Sequence, residues 1–366
     1  MKRNLLKFFI LIPLLACIKL MGQGCVAIRS TGSSCGLQSN STQPNDGWQF
    51  NASYRNFKSF RHFRGKEEEE ERVANGSDVR NYTNNFDLSL TKFLGDRWSI
   101  SMFLPFQSTS RSSLYEHDGK TRHFTSATGM GDVRFTVGAW LFKPSSKGNL
   151  QVGLGLKLPT GDYNYQDYFY KNDTTYSFGP VDQSIQLGDG GTGVSFELNG
   201  FFNIVRSLGV YGNFYYLSNP REQNGVSTTR GGTASATAIK YKTNTMSVAD
   251  QYLIRGGVNY NLKNFAITAG VRMECVPSED LIGGSNGFRR PGYVIAAEPT
   301  ISYQIKSLNI FAAVPFALER NRVQSYSDKL RSADTGTKVV GDAAFADYSV
   351  SVGISYRFGN KMHVSM

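Results

Sequence analysis

The chain has 366 residues, a formal charge of +11, and 38 glycines, 25 phenylalanines and 19 tyrosines. Aromatic and small residues at the expense of helix formers point to an all-β protein. The positive balance is scattered rather than clustered, and the exported start described next argues against a nucleic-acid partner.

Lys2, Arg3 and Lys7 precede an apolar core from Phe8 to Cys17, and small residues follow at Gly22 and Gly24. That is the order of a secretory signal peptide over residues 1–22. Its removal takes away four cations, Lys19 included, and lowers +11 to +7. Residues 23–46 then read as a short periplasmic segment. Cys25 and Cys35 flank a Gly/Ser-rich stretch there, and an exported chain permits them to close a small disulfide loop. Cys275 is left as a buried thiol at a strand end.

From residue 47 to residue 358 the sequence alternates. Val133, Phe135, Val137 and Ala139 share one strand face, while Asp132, Arg134, Thr136 and Gly138 share the other. Leu150 to Leu158 alternates in the same way with Gln151, Gly153, Gly155 and Lys157. Segments of about ten residues with one apolar and one polar face are the length and pattern of tilted transmembrane strands. Twelve such segments start near Trp48, Asn81, Trp98, Asp132, Asn149, Gly193, Leu208, Gln251, Asn264, Gly292, Leu308 and Phe345. The connections after the even-numbered ones are short. The others are long, near residues 61–80, 109–131, 161–192, 219–250, 277–291 and 321–344. Short periplasmic turns alternating with long outer loops predict an antiparallel transmembrane β-barrel of about twelve strands in the bacterial outer membrane. Tyr356 and Phe358 close the last strand and resemble the signal read by barrel assembly machinery; residues 359–366 form a short tail.

If the apolar face meets lipid, the other face lines the lumen. It carries Asp87, Asp132, Arg134, Lys157, Glu197, Arg255, Arg272, Glu274, Glu298, Glu319 and Arg357. Both signs are present, so the expectation is an ion-paired interior rather than a one-sign filter. The run Glu67 to Glu71 reads as an acidic outer loop that either is solvated or binds divalent ions bridging lipopolysaccharide.

Catalytic or metal chemistry finds little support. His117 and His123 share a loop with Glu116 and Asp118, but none of the four histidines is spaced as a metal ligand pair. Ser110 or Ser112 with His117 and Asp118 is the only imaginable nucleophile set, as expected by coincidence in Ser-rich loops. The expectation is no enzyme, no cofactor and no metal.

Gly129-Met130-Gly131-Asp132, Leu158-Pro159-Thr160-Gly161-Asp162 and Leu187-Gly188-Asp189-Gly190-Gly191-Thr192-Gly193 occur in that order. Together with Gly24 to Arg29 they resemble signatures of the outer-membrane barrel family named after the MetA pathway of phenol degradation. The resemblance in motifs covers about residues 125–205, and the third motif departs from the family form at Gly190-Gly191-Thr192. It implies a barrel that passes or binds small, often hydrophobic, organic molecules. Physically, the glycines permit bends and close approach at the outer strand ends, and Asp132 and Asp162 can cap the turning loops. As an outer gate, the same motifs would make Asp132 and Asp162 functional. The expected function is passive transport or binding of a small solute, apolar ones included. The alternative is a structural or surface-interaction barrel with a plugged lumen. Expected partners are outer-membrane lipid, lipopolysaccharide, the assembly machinery and the solute.

Overall fold

The computed structural model describes residues 46–359. The proposed signal peptide, most of the N-terminal segment with Cys25 and Cys35, and nearly all of the tail lie outside the described residues. Twelve antiparallel staves close into a barrel: β1 Gly47–Arg64, β2 Arg80–Leu94, β3 Trp98–Ser112, β4 in two pieces Phe124–Met130 and Arg134–Trp140, β5 Gly148–Lys157, β6 Gly193–Asn203, β7 Leu208–Ser218, β8 Gln251–Leu262, β9 Phe265–Val276, β10 Gly292–Ile305, β11 in two pieces Leu308–Ala313 and Phe316–Asn321, and β12 Ala343–Phe358. Each pairs with its neighbours in sequence, and β12 closes on β1 from Trp48↔Phe358 to Phe63↔Ala343. Closure leaves no main stave with an unpaired edge along the membrane, as the absence of water there requires.

Alternation sets what faces lipid. Phe135, Val137, Leu154, Leu156, Ile267, Val271 and Leu318 are exposed large apolar side chains on the wall, whereas Arg134, Lys157, Arg272 and Glu298 are buried inside. Trp98, Tyr260 and Tyr356 mark the end with short turns. Phe86 and Phe106 mark the other end, giving the two aromatic girdles of an outer-membrane protein. Among the described residues no helix is long and apolar enough to cross a membrane.

The long connections all lie at one end and carry structure of their own. The first holds α1, Glu70–Ala74; the fourth holds α2, Ala236–Lys240; the last holds α3, Tyr326–Thr335, which starts at a Ser325/Asp328 capping box. A hairpin of Gln166–Tyr170 and Tyr176–Pro180 rises from the connection between β5 and β6.

Three departures from the sequence reading matter. β3 and β4 extend farther outward than expected, so much of residues 109–131 is ladder rather than loop. β11 breaks at Val314-Pro315, where proline has no N–H for the ladder. A register shift in the outer piece of β11 then turns Glu319 away from the lumen, to Lys66 and the Tyr293 hydroxyl. A one-residue slip moves a side chain to the opposite face.

Candidate functional site: the outer mouth and the lumen

The three glycine-rich stretches meet at one point. β4 breaks at Gly131 to Val133, and Asp132 turns in from the break. One carboxylate oxygen accepts the Gly161 N–H (3.0 Å) and the other accepts the Asp189 N–H (3.2 Å). Lys157 lies 3.5 Å from Asp132 and also contacts Asp189, so one cation is shared between the two acids. The Thr160 hydroxyl donates to the Gly131 carbonyl (3.0 Å) and accepts the Val133 N–H (2.9 Å), covering backbone groups that the break leaves unladdered. The Asp162 carbonyl receives the N–H groups of Leu187 (3.2 Å) and Gly188 (3.3 Å), while its side chain caps Asn164 (2.9 Å) in the solvent. Asp162 therefore works through its backbone.

What this point seats is residues 181–189, folded into the outer mouth. Val181, Ile185 and Leu187 pack with Ala127 in a fully buried cluster. Gln107 donates to the Leu187 carbonyl (3.1 Å) and Thr109 to the Ile185 carbonyl (3.1 Å). A Cβ at Gly161 would stand 2.8 Å from that Leu187 oxygen, so only glycine lets the two backbones approach.

Asp182 fastens the segment. Arg290 donates to both its oxygens (2.8 and 2.6 Å), and Arg111 stands 3.6 Å away while paired with Glu116 at 3.0 Å. Arg230 adds a second cation to Glu116 at 3.3 Å. Burial alone would raise the Asp182 pKa, but the Arg111 and Arg290 guanidinium groups outweigh it and hold the carboxyl well below the usual carboxylate range. Arg111, Glu116, Asp182 and Arg290 carry no short motif, and the apolar residues Val181, Ile185 and Leu187 share no strand or helix period that would mark a buried insert in a long loop.

Beneath the insert lies a luminal pocket. Gln107, Gln251, Leu187, Leu217, Met246 and Val276 contribute amide and apolar walls. Its cations are matched: Lys157 by Asp132 and Asp189, Arg289 by Asp280 (2.6 Å), and Arg290 by Asp182. Farther down, Glu298 joins Arg255 (3.0 Å) and Arg272 (3.2 Å), and Arg272 also meets Glu274. Arg134 stands apart, its guanidinium 4.5 Å from the Phe103 ring and 4.8 Å from the Tyr215 ring. Glu197 accepts from Thr136 (3.3 Å), and Arg357 donates to Gln49 (3.0 Å) near the periplasmic end. The charged lumen residues thus fall into an outer group, a central group of four and separate positions, not one constellation.

Two rim clusters complete the inventory. His117 accepts the Tyr170 N–H (3.1 Å), and Asp118 caps Lys120 and Thr121 (both 2.8 Å), so neither is turned towards Ser110 or Ser112. Burial and nearby His123 lower the His117 pKa. His62, Glu69 and Asp342 lie close enough to suggest a metal site that the sequence reading missed. Both imidazole nitrogens of His62 are engaged, Nδ1 with Asp342 (2.7 Å) and Nε2 with the Val79 N–H (2.8 Å), which leaves no lone pair for an ion. In the acidic run, Glu68 and Glu69 are paired with Arg61 and Arg64, while Glu67, Glu70 and Glu71 remain exposed.

Compared with known proteins, the chain matches no sequence-family profile and no curated protein. Among solved structures it is similar to the COG4313 outer membrane channel from Pseudomonas putida F1, with a TM-score of 0.60 and 12% identity over 88% of this chain and 100% of that one. The likeness is one of fold. Weaker likenesses reach the CymD monoaromatic hydrocarbon channel (TM-score 0.44, 9% identity, 92% and 97% covered) and the translocator domain of autotransporter NalP from Neisseria meningitidis (0.43, 13%, 89% and 92%). The protein is a bacterial outer-membrane β-barrel.

Proposed function

We propose that the barrel is a passive, non-catalytic conduit for a small uncharged solute with apolar surface, and that residues 181–189 are its stopper. The supporting observation is how the mouth is closed. The closing segment is held by the Asp182 ion pairs, a small buried apolar cluster and hydrogen bonds to side chains and loop carbonyls, but it takes no place in the barrel ladder, so it can leave while the wall stays intact. The pocket beneath favours an uncharged solute, since its cations are already neutralised and its walls mix amides with apolar groups. On this reading the chain belongs with the MetA-pathway barrels. It reaches the membrane through its signal peptide and the assembly machinery, and Cys25–Cys35 closes a loop ahead of β1.

The test is single-channel recording of the refolded protein and of Asp182→Asn, with liposome swelling beside it. Removing the charge costs the closed mouth about 3 kcal/mol, typical for breaking a buried pair, or about a hundredfold in the closed-to-open ratio. Discrete open levels, more frequent in the variant, are expected. Silent membranes for both proteins once inserted, with swelling no faster than protein-free controls, would overturn the reading. They would favour instead a plugged surface-interaction barrel, to which the buried charges of the lumen also lend themselves.

A further inference from the structure

A second surface, on the outside of the wall, is independent of solute passage. The outward row Tyr54, Phe86, Phe106 and Met130 is the outer edge of the apolar belt over β1 to β4. The row above it is Asn56, Asn84, Ser108 and Thr128, and the next is Lys58, Tyr82, Ser110 and Ser126. Four residues of strand are about 13 Å, or about 10 Å of height at a tilt of ~40°. The ladder therefore continues above the hydrocarbon with an amide and hydroxyl exterior.

The 166–180 hairpin extends that exterior sideways. Asp167 accepts the Ser126 N–H (2.7 Å), setting the hairpin beside β4. Phe169 turns inward to His117, with its ring centroid 5.6 Å away. Its neighbours point the other way: Tyr168 faces Phe178 and Tyr170 faces Tyr176 across the hairpin. All four rings are exposed, Tyr176 by 60% and Phe178 by 53%. Tyr168 stands 4.9 Å from Tyr176 and 5.0 Å from Phe178, so the rings form one platform. Lys58 lies over Phe60 (4.5 Å) and Tyr82 (5.6 Å), and among the described residues it makes no ion pair.

Acyl chains end below this height. What flanks the wall there in the outer leaflet is the saccharide of its glycolipid. Sugar rings offer C–H faces to aromatic rings and hydroxyls to amides and hydroxyls, and phosphorylated sugars offer a partner to a lysine. We infer that the β1–β4 exterior and the hairpin platform bind the core saccharide of lipopolysaccharide, holding one glycolipid against this side of the barrel.

Native mass spectrometry of the full-length protein, titrated with lipopolysaccharide carrying a complete core and separately with lipid A, tests this. Half-saturation at least tenfold lower for the core-bearing glycolipid is expected. Replacing Tyr168, Tyr176 and Phe178 by Ser should erase the preference, Tyr168→Phe should keep it, and Lys58→Ala should weaken it severalfold. Heat-modifiable electrophoretic mobility checks that each variant is folded. If the triple variant fails that check, Tyr176→Ser and Lys58→Ala decide, because both side chains are exposed. Equal half-saturation for the two glycolipids, or a preference that survives in the folded variants, overturns the inference. Free core oligosaccharide binding as tightly as the glycolipid also overturns it, in favour of a soluble glycan. Conductance is scored separately, so failure here leaves the conduit reading intact and the reverse also holds.

Discussion

Asp182 shows how one carboxylate ties together parts of the chain far apart in sequence, from Arg111 in β3 to Arg290 before β10. Its depressed pKa sets a sign. A group whose folded pKa is lowered contributes stability that is complete above its unfolded value, about 3.9, and is lost only as pH falls through the lower folded value. Opening of the wild-type mouth should therefore stay flat from about pH 7 to about pH 4, where ordinary surface carboxylates begin to protonate. Conductance recorded across that range checks it, and a rise near pH 5 would show that Asp182 does not hold the segment. His62 sets a different limit. With Nε2 receiving the Val79 N–H and Nδ1 bonded to Asp342, zinc has no imidazole lone pair to take. Added zinc should leave the thermal midpoint unchanged; a rise of several degrees would mean that the His62, Glu69 and Asp342 group opens to bind it.

At the scale of elements, the seat of residues 181–189 depends on backbone approach. Gly161→Ala would place a methyl 2.8 Å from the Leu187 carbonyl and 2.9 Å from the Gly188 nitrogen, both main-chain atoms that cannot swing aside. The segment should lift, giving faster protease cleavage between residues 181 and 189 with the barrel still heat-modifiable. Unchanged cleavage would count against a tight seat. The staves themselves were legible because alternation in a barrel is enforced on both faces, by lipid outside and by polar neighbours inside. Val133 to Leu141 and Leu150 to Leu158 announce themselves that way. The insert was not legible, since Val181, Ile185 and Leu187 follow no period and their burial is decided by Ala127 and the Gly129 edge of another stave. Glu319 failed for a related reason: a bulge reverses facing without altering the residue pattern that suggests it. The glycine-rich stretches could be read as bends at strand ends, but their meeting point follows only from the closed register.

For the whole molecule, the alternation of short and long connections gave the sidedness, and the structure gathers the long ones into a cap around Arg111, Glu116, Asp182 and Arg290. The seam between β12 and β1 carries a further consequence. Trp48 pairs with Phe358, 310 positions later, so the ring cannot shut until the final stave is made. Until then an eleven-stave sheet presents two raw edges, and any stray strand is a competitor for them. Contacts so distant in sequence form slowly. The speed of maturation is therefore governed at the seam, and a change that weakens β12 should lengthen the life of the open sheet far more than it loosens the finished barrel.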